Sequence, residues 1–151
     1  MNDADKIVQN EENGVLHLTY NVNGDNFTSA GEASVDVKKA LRQLGFPPAF
    51  IRRVSIAMYE GEINMVIHAE GGVADVYVYS DRVEILLKDQ GPGIADIALA
   101  MQEGYSTAPD NIRTLGFGAG MGLPNMKRYT DDMRIETEIG VGTTVYMTVK
   151  S

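Results

Sequence analysis

From Gly14 to Val22 the apolar side chains Leu16, Leu18, Tyr20 and Val22 alternate with His17, Thr19 and Asn21. That period of two predicts a half-buried strand. Asn23-Gly24-Asp25-Asn26 breaks it, and Ser29-Ala30-Gly31-Glu32 then has the Ser-x-x-Glu form of a capping box. A helix is therefore predicted from Ser29 through Val35, Val37, Ala40 and Leu41 to about Leu44, ended by Gly45 and Pro47-Pro48. The next helix, the longest, is predicted from Pro48 to about Ala69. Along it Ile51, Val54, Met58, Gly61 and Met65 recur three or four apart as one buried stripe. Beside that stripe Glu60, Asn64 and His68 fall at i, i+4 and i+8, so three polar groups share one strip of the helix.

Val73 to Tyr79 and Val83 to Lys88 read as strands around Ser80-Asp81-Arg82, a hairpin that ends at Asp89. A short helix is predicted from about Ala95 to Gln102. Gly104 to Gly122 holds six glycines or prolines with little periodicity, and a loop that long inside a compact domain is usually functional, here read as a lid. Leu123 to about Thr130 is predicted helical. Arg134 to Thr137 and Thr143 to Val149 form a terminal hairpin turned by Gly140-Val141-Gly142. Hairpins dominate over βαβ units, so the expected fold class is α/β (α+β): a two-layer sandwich with a mostly antiparallel sheet covered by helices on one face. The 151 residues fit a single domain, in which the first dozen or so read as a tail or edge segment.

Composition narrows the partners. Apolar residues make up 44% and charged residues 23%, and no apolar run approaches the roughly 18 residues of a membrane span. Met1-Asn2-Asp3-Ala4-Asp5-Lys6 lacks the basic and apolar segments of a secretory signal, so a soluble, cytoplasmic protein is expected. The absence of cysteine excludes disulfides, thiolate metal sites and cysteine nucleophiles. A formal net charge of −8 disfavours binding to a nucleic-acid backbone.

Three stretches carry candidate chemistry. Asp89-Gln90-Gly91-Pro92-Gly93 closes an apolar strand, where glycines let the backbone turn and approach a ligand; alone, the pattern also fits an ordinary strand-ending turn. Gly116-Phe117-Gly118-Ala119-Gly120-Met121-Gly122 places a glycine at every second position directly before a helix. Its N–H groups and the helix start favour phosphate, although neither a Walker loop nor a dinucleotide βαβ unit is present. On the long helix Asn64 offers a neutral oxygen suited to Mg²⁺, and Glu60, one turn earlier, suits a general base for a hydroxyl nucleophile.

In order, Glu60-x-x-x-Asn64-x-x-x-His68-Ala69, Asp89-x-Gly91-x-Gly93, the glycines ending Gly122-Leu123-Pro124, and Gly140-x-Gly142-Thr143 resemble the N, G1, G2 and terminal Gly-Thr boxes of the GHKL (Bergerat-fold) ATPases. The resemblance covers about residues 30 to 150. Glu103-Gly104-Tyr105-Ser106-Thr107, leading to Gly122-Leu123-Pro124, looks like the small bacterial anti-sigma factors and switch kinases, which phosphorylate serine or threonine on STAS-domain antagonists. The resemblance implies an ATP-dependent kinase with Mg²⁺. Asp89 would accept the adenine amino group, Asn64 would ligate Mg²⁺ and Glu60 would be the general base. Gly91, Gly93, Ile94, Gly116, Gly118, Gly120, Met121, Gly122 and Leu123 would line the nucleotide, with Thr143 near the adenine side and His68 in a structural role beside it.

It also implies a STAS-domain partner, with a sigma factor as a second candidate and a homodimer as the candidate assembly. The alternative is a nucleotide-binding anti-sigma or adaptor module that sequesters its partner with little transfer, against which Glu60 argues. Two departures stand out: Gly61-Glu62 puts a second carboxylate between base and Mg²⁺ ligand, and Ala108 to Arg113 lengthen the lid.

Overall fold

A computed structural model of the chain describes residues 6–12, 15–23, 31–69, 71–91, 101 and 122–151. Six of its elements are strands: β1 (Lys6–Glu12), β2 (Val15–Asn23), β3 (Gly71–Val78), β4 (Arg82–Asp89), β5 (Asp132–Glu138) and β6 (Gly142–Lys150). They form one sheet in the order β1-β2-β3-β4-β6-β5, with every neighbouring pair antiparallel. The helices described are α1 (Glu32–Gln43), α2 (Pro48–Ala69) and α3 (Gly122–Arg128).

The period-two patterns settle which face of the sheet is covered. Leu18 and Tyr20 of β2, Ala74, Val76 and Val78 of β3, Val83, Ile85 and Leu87 of β4, and Val145, Met147 and Val149 of β6 are all buried. Helix α2 crosses this face, touching β2, β3, β4 and β6, with α1 and α3 packed on either side of it. The opposite face is polar and half-buried. There His17 Nε2 and Thr19 Oγ1 both reach Asp75 Oδ1, at 2.9 and 2.7 Å, and the His17 ring stacks on Tyr77 at 4.3 Å. The two-layer α/β architecture expected from the sequence is the one observed.

Helix α2 has the bounds predicted from its periodicity, and Ile51, Val54, Met58, Gly61 and Met65 are buried as expected. It is covered more widely than one stripe, since Phe50, Ala57, Ile63 and Val66 are buried too. Of the two readings of the first dozen residues, tail or edge segment, the second holds: they contain a strand, β1, which extends the sheet as its edge beside β2. The start of α1 is corrected. Helix α1 begins at Glu32 with Gly31, which has no side chain to cap it, at its N-cap, and Ser29 lies outside the described residues.

Because Ala33, Ser34, Val37 and Leu41 set the buried side of α1, Val35 is turned out and 52% exposed. The helix expected over 95–102, apart from Met101, and the lid expected over 104–121 lie outside the described residues. None of the described helices is long and apolar enough to cross a membrane.

Candidate functional site

Three elements converge where the polar strip of α2 reaches the end of β4. Gly61 is the contact point: a Cβ built there would lie 2.0 Å from Leu87 Cδ1 of β4 and 3.4 Å from Met126 Cε of α3. The missing side chain lets α2 sit this close to Leu87. One turn further on, Met65 Cε would be 2.5 Å from a Cβ at Gly72, whose other close neighbours are the Lys88 carbonyl at 2.3 Å and Asp89 Cα at 3.0 Å. The turn of α2 that carries Asn64 and Met65 is thereby pressed against the strand ends that carry Asp89.

Glu60 and Asn64 both lie on α2, one turn apart and half-buried. Burial pushes the Glu60 carboxyl above the ordinary carboxylate range; a hydrogen bond from Asn125 Nδ2 to its Oε1, at 3.4 Å, pulls the other way. A carboxylate whose pKa is raised in a partly dry site is a stronger base than a fully solvated one. His68 falls within α2, but its side chain is outside what is described.

Asp89 closes β4. The backbone N–H groups of Gly91 and Thr143 donate to its Oδ1, at 2.9 and 3.1 Å. Among the described residues both bonds fall on one oxygen, so the carboxylate is pinned through Oδ1. Thr143 is buried, and its hydroxyl is 2.9 Å from that of Thr137, its cross-strand partner in β5. Asp89, Gly91 and Thr143 therefore form one hydrogen-bonded unit at the mouth of the β4–β6 pair. Gly122 opens α3, and Leu123 is buried beneath it. Gly93, Ile94, Gly116, Gly118, Gly120 and Met121 lie outside the described residues.

Glu62 is placed differently from the expectation that it adds a second carboxylate to the site. It is 2% exposed and reaches away to α1, accepting from the backbone N–H groups of Gly31 at 3.0 Å, Ala33 at 3.3 Å and Ser34 at 2.6 Å. These are free donors of a helix start, so Glu62 supplies the cap assigned from sequence to Ser29. Burial raises the Glu62 carboxyl, and the bonds from Ser34, Gly31 and Ala33 oppose the rise. Positions two apart on a helix face nearly opposite ways, which is why Glu60 and Glu62 part company. Sequence reasoning also missed Asn125 and Thr137. The predicted terminal hairpin carried a signal for Thr137, since folding it about Gly140 sets Thr137 opposite Thr143; no local pattern marks Asn125.

A model of the histidine kinase-like ATPase domain matches residues 26–149. The chain belongs to this family. Among its relatives is the serine/threonine-protein kinase RsbT of Bacillus subtilis, 31% identical over 112 residues that cover 72% of this chain and 78% of the relative. The anti-sigma F factor of Geobacillus stearothermophilus is 28% identical over 138 residues, 87% of this chain and 89% of the relative. That of Clostridium acetobutylicum is 35% identical over 102 residues, 64% and 68% of the two chains. The chain thus falls within the histidine kinase-like ATPase domains, beside relatives named as a serine/threonine-protein kinase and as anti-sigma F factors.

The donor set bears on a metal as well. Among the described residues no group of three or more His, Asp or Glu side chains is placed to hold an ion, so no all-protein cage is formed there. A lone amide oxygen at Asn64 fits Mg²⁺ that arrives with phosphates and keeps several waters.

Proposed function

We propose that this chain binds Mg-ATP between α2 and the ends of β4 and β6, and transfers the γ-phosphoryl group to a serine or threonine hydroxyl of a STAS-type partner protein. The single observation that carries the reading is Glu60: a half-buried carboxylate with a raised pKa, one helical turn from Asn64. A module that only held nucleotide would have no need of a base at that position. The names of the relatives, a serine/threonine-protein kinase and anti-sigma F factors, support the reaction class and the type of partner.

Each residue has a distinct task. Asp89 is held through Oδ1 by Gly91 and Thr143 and offers Oδ2 to the exocyclic amino group of adenine. The N–H groups of the glycines from Gly116 to Gly122 take the phosphates, for which an uncharged backbone cradle suits a chain of net charge −8. Asn64 would hold Mg²⁺, whose contribution when bound is to neutralise phosphate charge. Glu60 accepts the proton of the attacking hydroxyl while the seryl O–P bond forms and the bond from γ-phosphorus to the bridging oxygen breaks, with ADP leaving.

The test is incubation of the purified protein with γ-labelled Mg-ATP and candidate STAS-domain proteins. Label on a partner serine or threonine with the wild type, and only a small residual rate with Glu60→Ala despite retained nucleotide binding, is the expected result. Nucleotide binding with no transfer to any partner would instead identify a sequestering module.

A further inference from the structure

Asn125 lies on α3, three residues beyond Gly122, and its side chain is half-buried. Its amide donates to Glu60 Oε1 at 3.4 Å, and among the described residues it is the one side chain that hydrogen-bonds this carboxylate. Both partners are carried on helices whose rotation is fixed by packing. On α3, Leu123 and Met126 flank Asn125 and are 6% and 0% exposed, with Met126 Cε set against Gly61. On α2, the Glu62 carboxylate and the buried stripe hold the neighbouring turns. The juxtaposition of amide and carboxylate therefore follows from the core and not from chance surface contact.

The chemistry of the donor matters. A lysine or arginine at this place would form an ion pair and strip the carboxylate of basicity. A neutral amide holds one oxygen and leaves the other free to take a proton. The bond is long, as hydrogen bonds at catalytic groups often are before substrate binds and the geometry tightens.

We propose that Asn125 is a positioning residue for phosphoryl transfer, fixing the Glu60 carboxylate by its Oε1 so that Oε2 faces the attacking hydroxyl. The role rests on the reading of Glu60 as the general base. It also ties the base to α3, the helix packed beside α2.

Two measurements test it. The first needs neither nucleotide nor partner: a denaturation cycle of Glu60→Ala, Asn125→Ala and the double variant in the ligand-free protein. The contact predicts that the two effects on the unfolding constant fail to multiply, by about twofold or more; simple multiplication overturns the assignment. The second is the rate of label transfer from γ-labelled ATP to the STAS-domain protein that the wild type labels.

Asn125→Ala is expected to lower the maximal rate about tenfold, a part of the roughly 100- to 10,000-fold that general-base assistance supplies, with KM for ATP unchanged. Asn125→Asp keeps the shape and sets a like charge against Glu60, so it is expected to be slower than Asn125→Ala. In the Glu60→Ala background, Asn125→Ala should change the residual rate no further. An Asp variant with the wild-type rate would show that only shape is needed and overturns the positioning role. A wild type that moves no label removes the transfer reading and the positioning role together, whereas transfer without coupling in the cycle removes Asn125 alone.

Discussion

Glu60 and Glu62 share a residue type and nearly a position, yet the fold sends them to different work. Glu60 stays half-exposed beside α3, with burial holding its carboxyl above the ordinary value of 4.5. A general base works only when deprotonated, so transfer should fall as pH drops through this raised pKa. The acidic limb of the rate profile is accordingly expected above pH 4.5, checked by rates of label transfer across pH at saturating ATP. Glu62 instead satisfies three N–H groups at the start of α1. Glu62→Ala leaves these donors buried without an acceptor and is expected to destabilise the protein by about 2 kcal/mol or more, read from urea denaturation. The identity of both residues was plain in the sequence, and so was Glu60's alignment with Asn64. The partner of Glu62 was not, because Gly31 and Ser34 are some thirty positions away and reach it only through the packing of α1 on α2.

At the scale of elements, glycine decides how closely helix and sheet approach. Gly61 faces the end of the Leu87 side chain, which has some freedom to move, whereas Gly72 faces the Lys88 carbonyl and the backbone of Asp89, which have little. Gly61→Ala should therefore cost about 1–3 kcal/mol by overpacking, and Gly72→Ala more. Thermal unfolding of the two variants would check the order. Gly72→Ala should also displace Asp89 and weaken nucleotide binding beyond the effect of Gly61→Ala.

Strand and helix bounds were legible wherever a period of two or 3.6 ran unbroken, as in α2, β4 and β6. The start of α1 was misread because a local capping box competes with a distant carboxylate that local pattern cannot see. Strand β1 was left open between tail and edge segment for a related reason. Lys6-Ile7-Val8-Gln9-Asn10-Glu11-Glu12 has little apolar alternation of its own and is a strand by virtue of pairing with β2.

For the whole molecule, the hairpin-rich order of elements gave the two-layer fold, and four separated motifs gave the family. What periodicity could not supply is the convergence that makes a site. Asp89 and Thr143 are joined because β6 lies beside β4, and the close approaches at Gly61 and Gly72 set the α2 turns that carry Glu60 and Asn64 against the end of β4.

The central claim is that this convergence binds ATP through Asp89, and isothermal titration of Mg-ATP into the wild type and Asp89→Asn tests it most directly. The variant is chosen for its geometry. An asparagine oxygen still accepts from Gly91 and Thr143, so the local fold is kept, while the atom proposed to meet adenine changes from acceptor to donor. Losing that bond and opposing two donors should cost about 1.5–3 kcal/mol, which weakens binding tenfold or more. Wild-type affinity in Asp89→Asn would contradict the account.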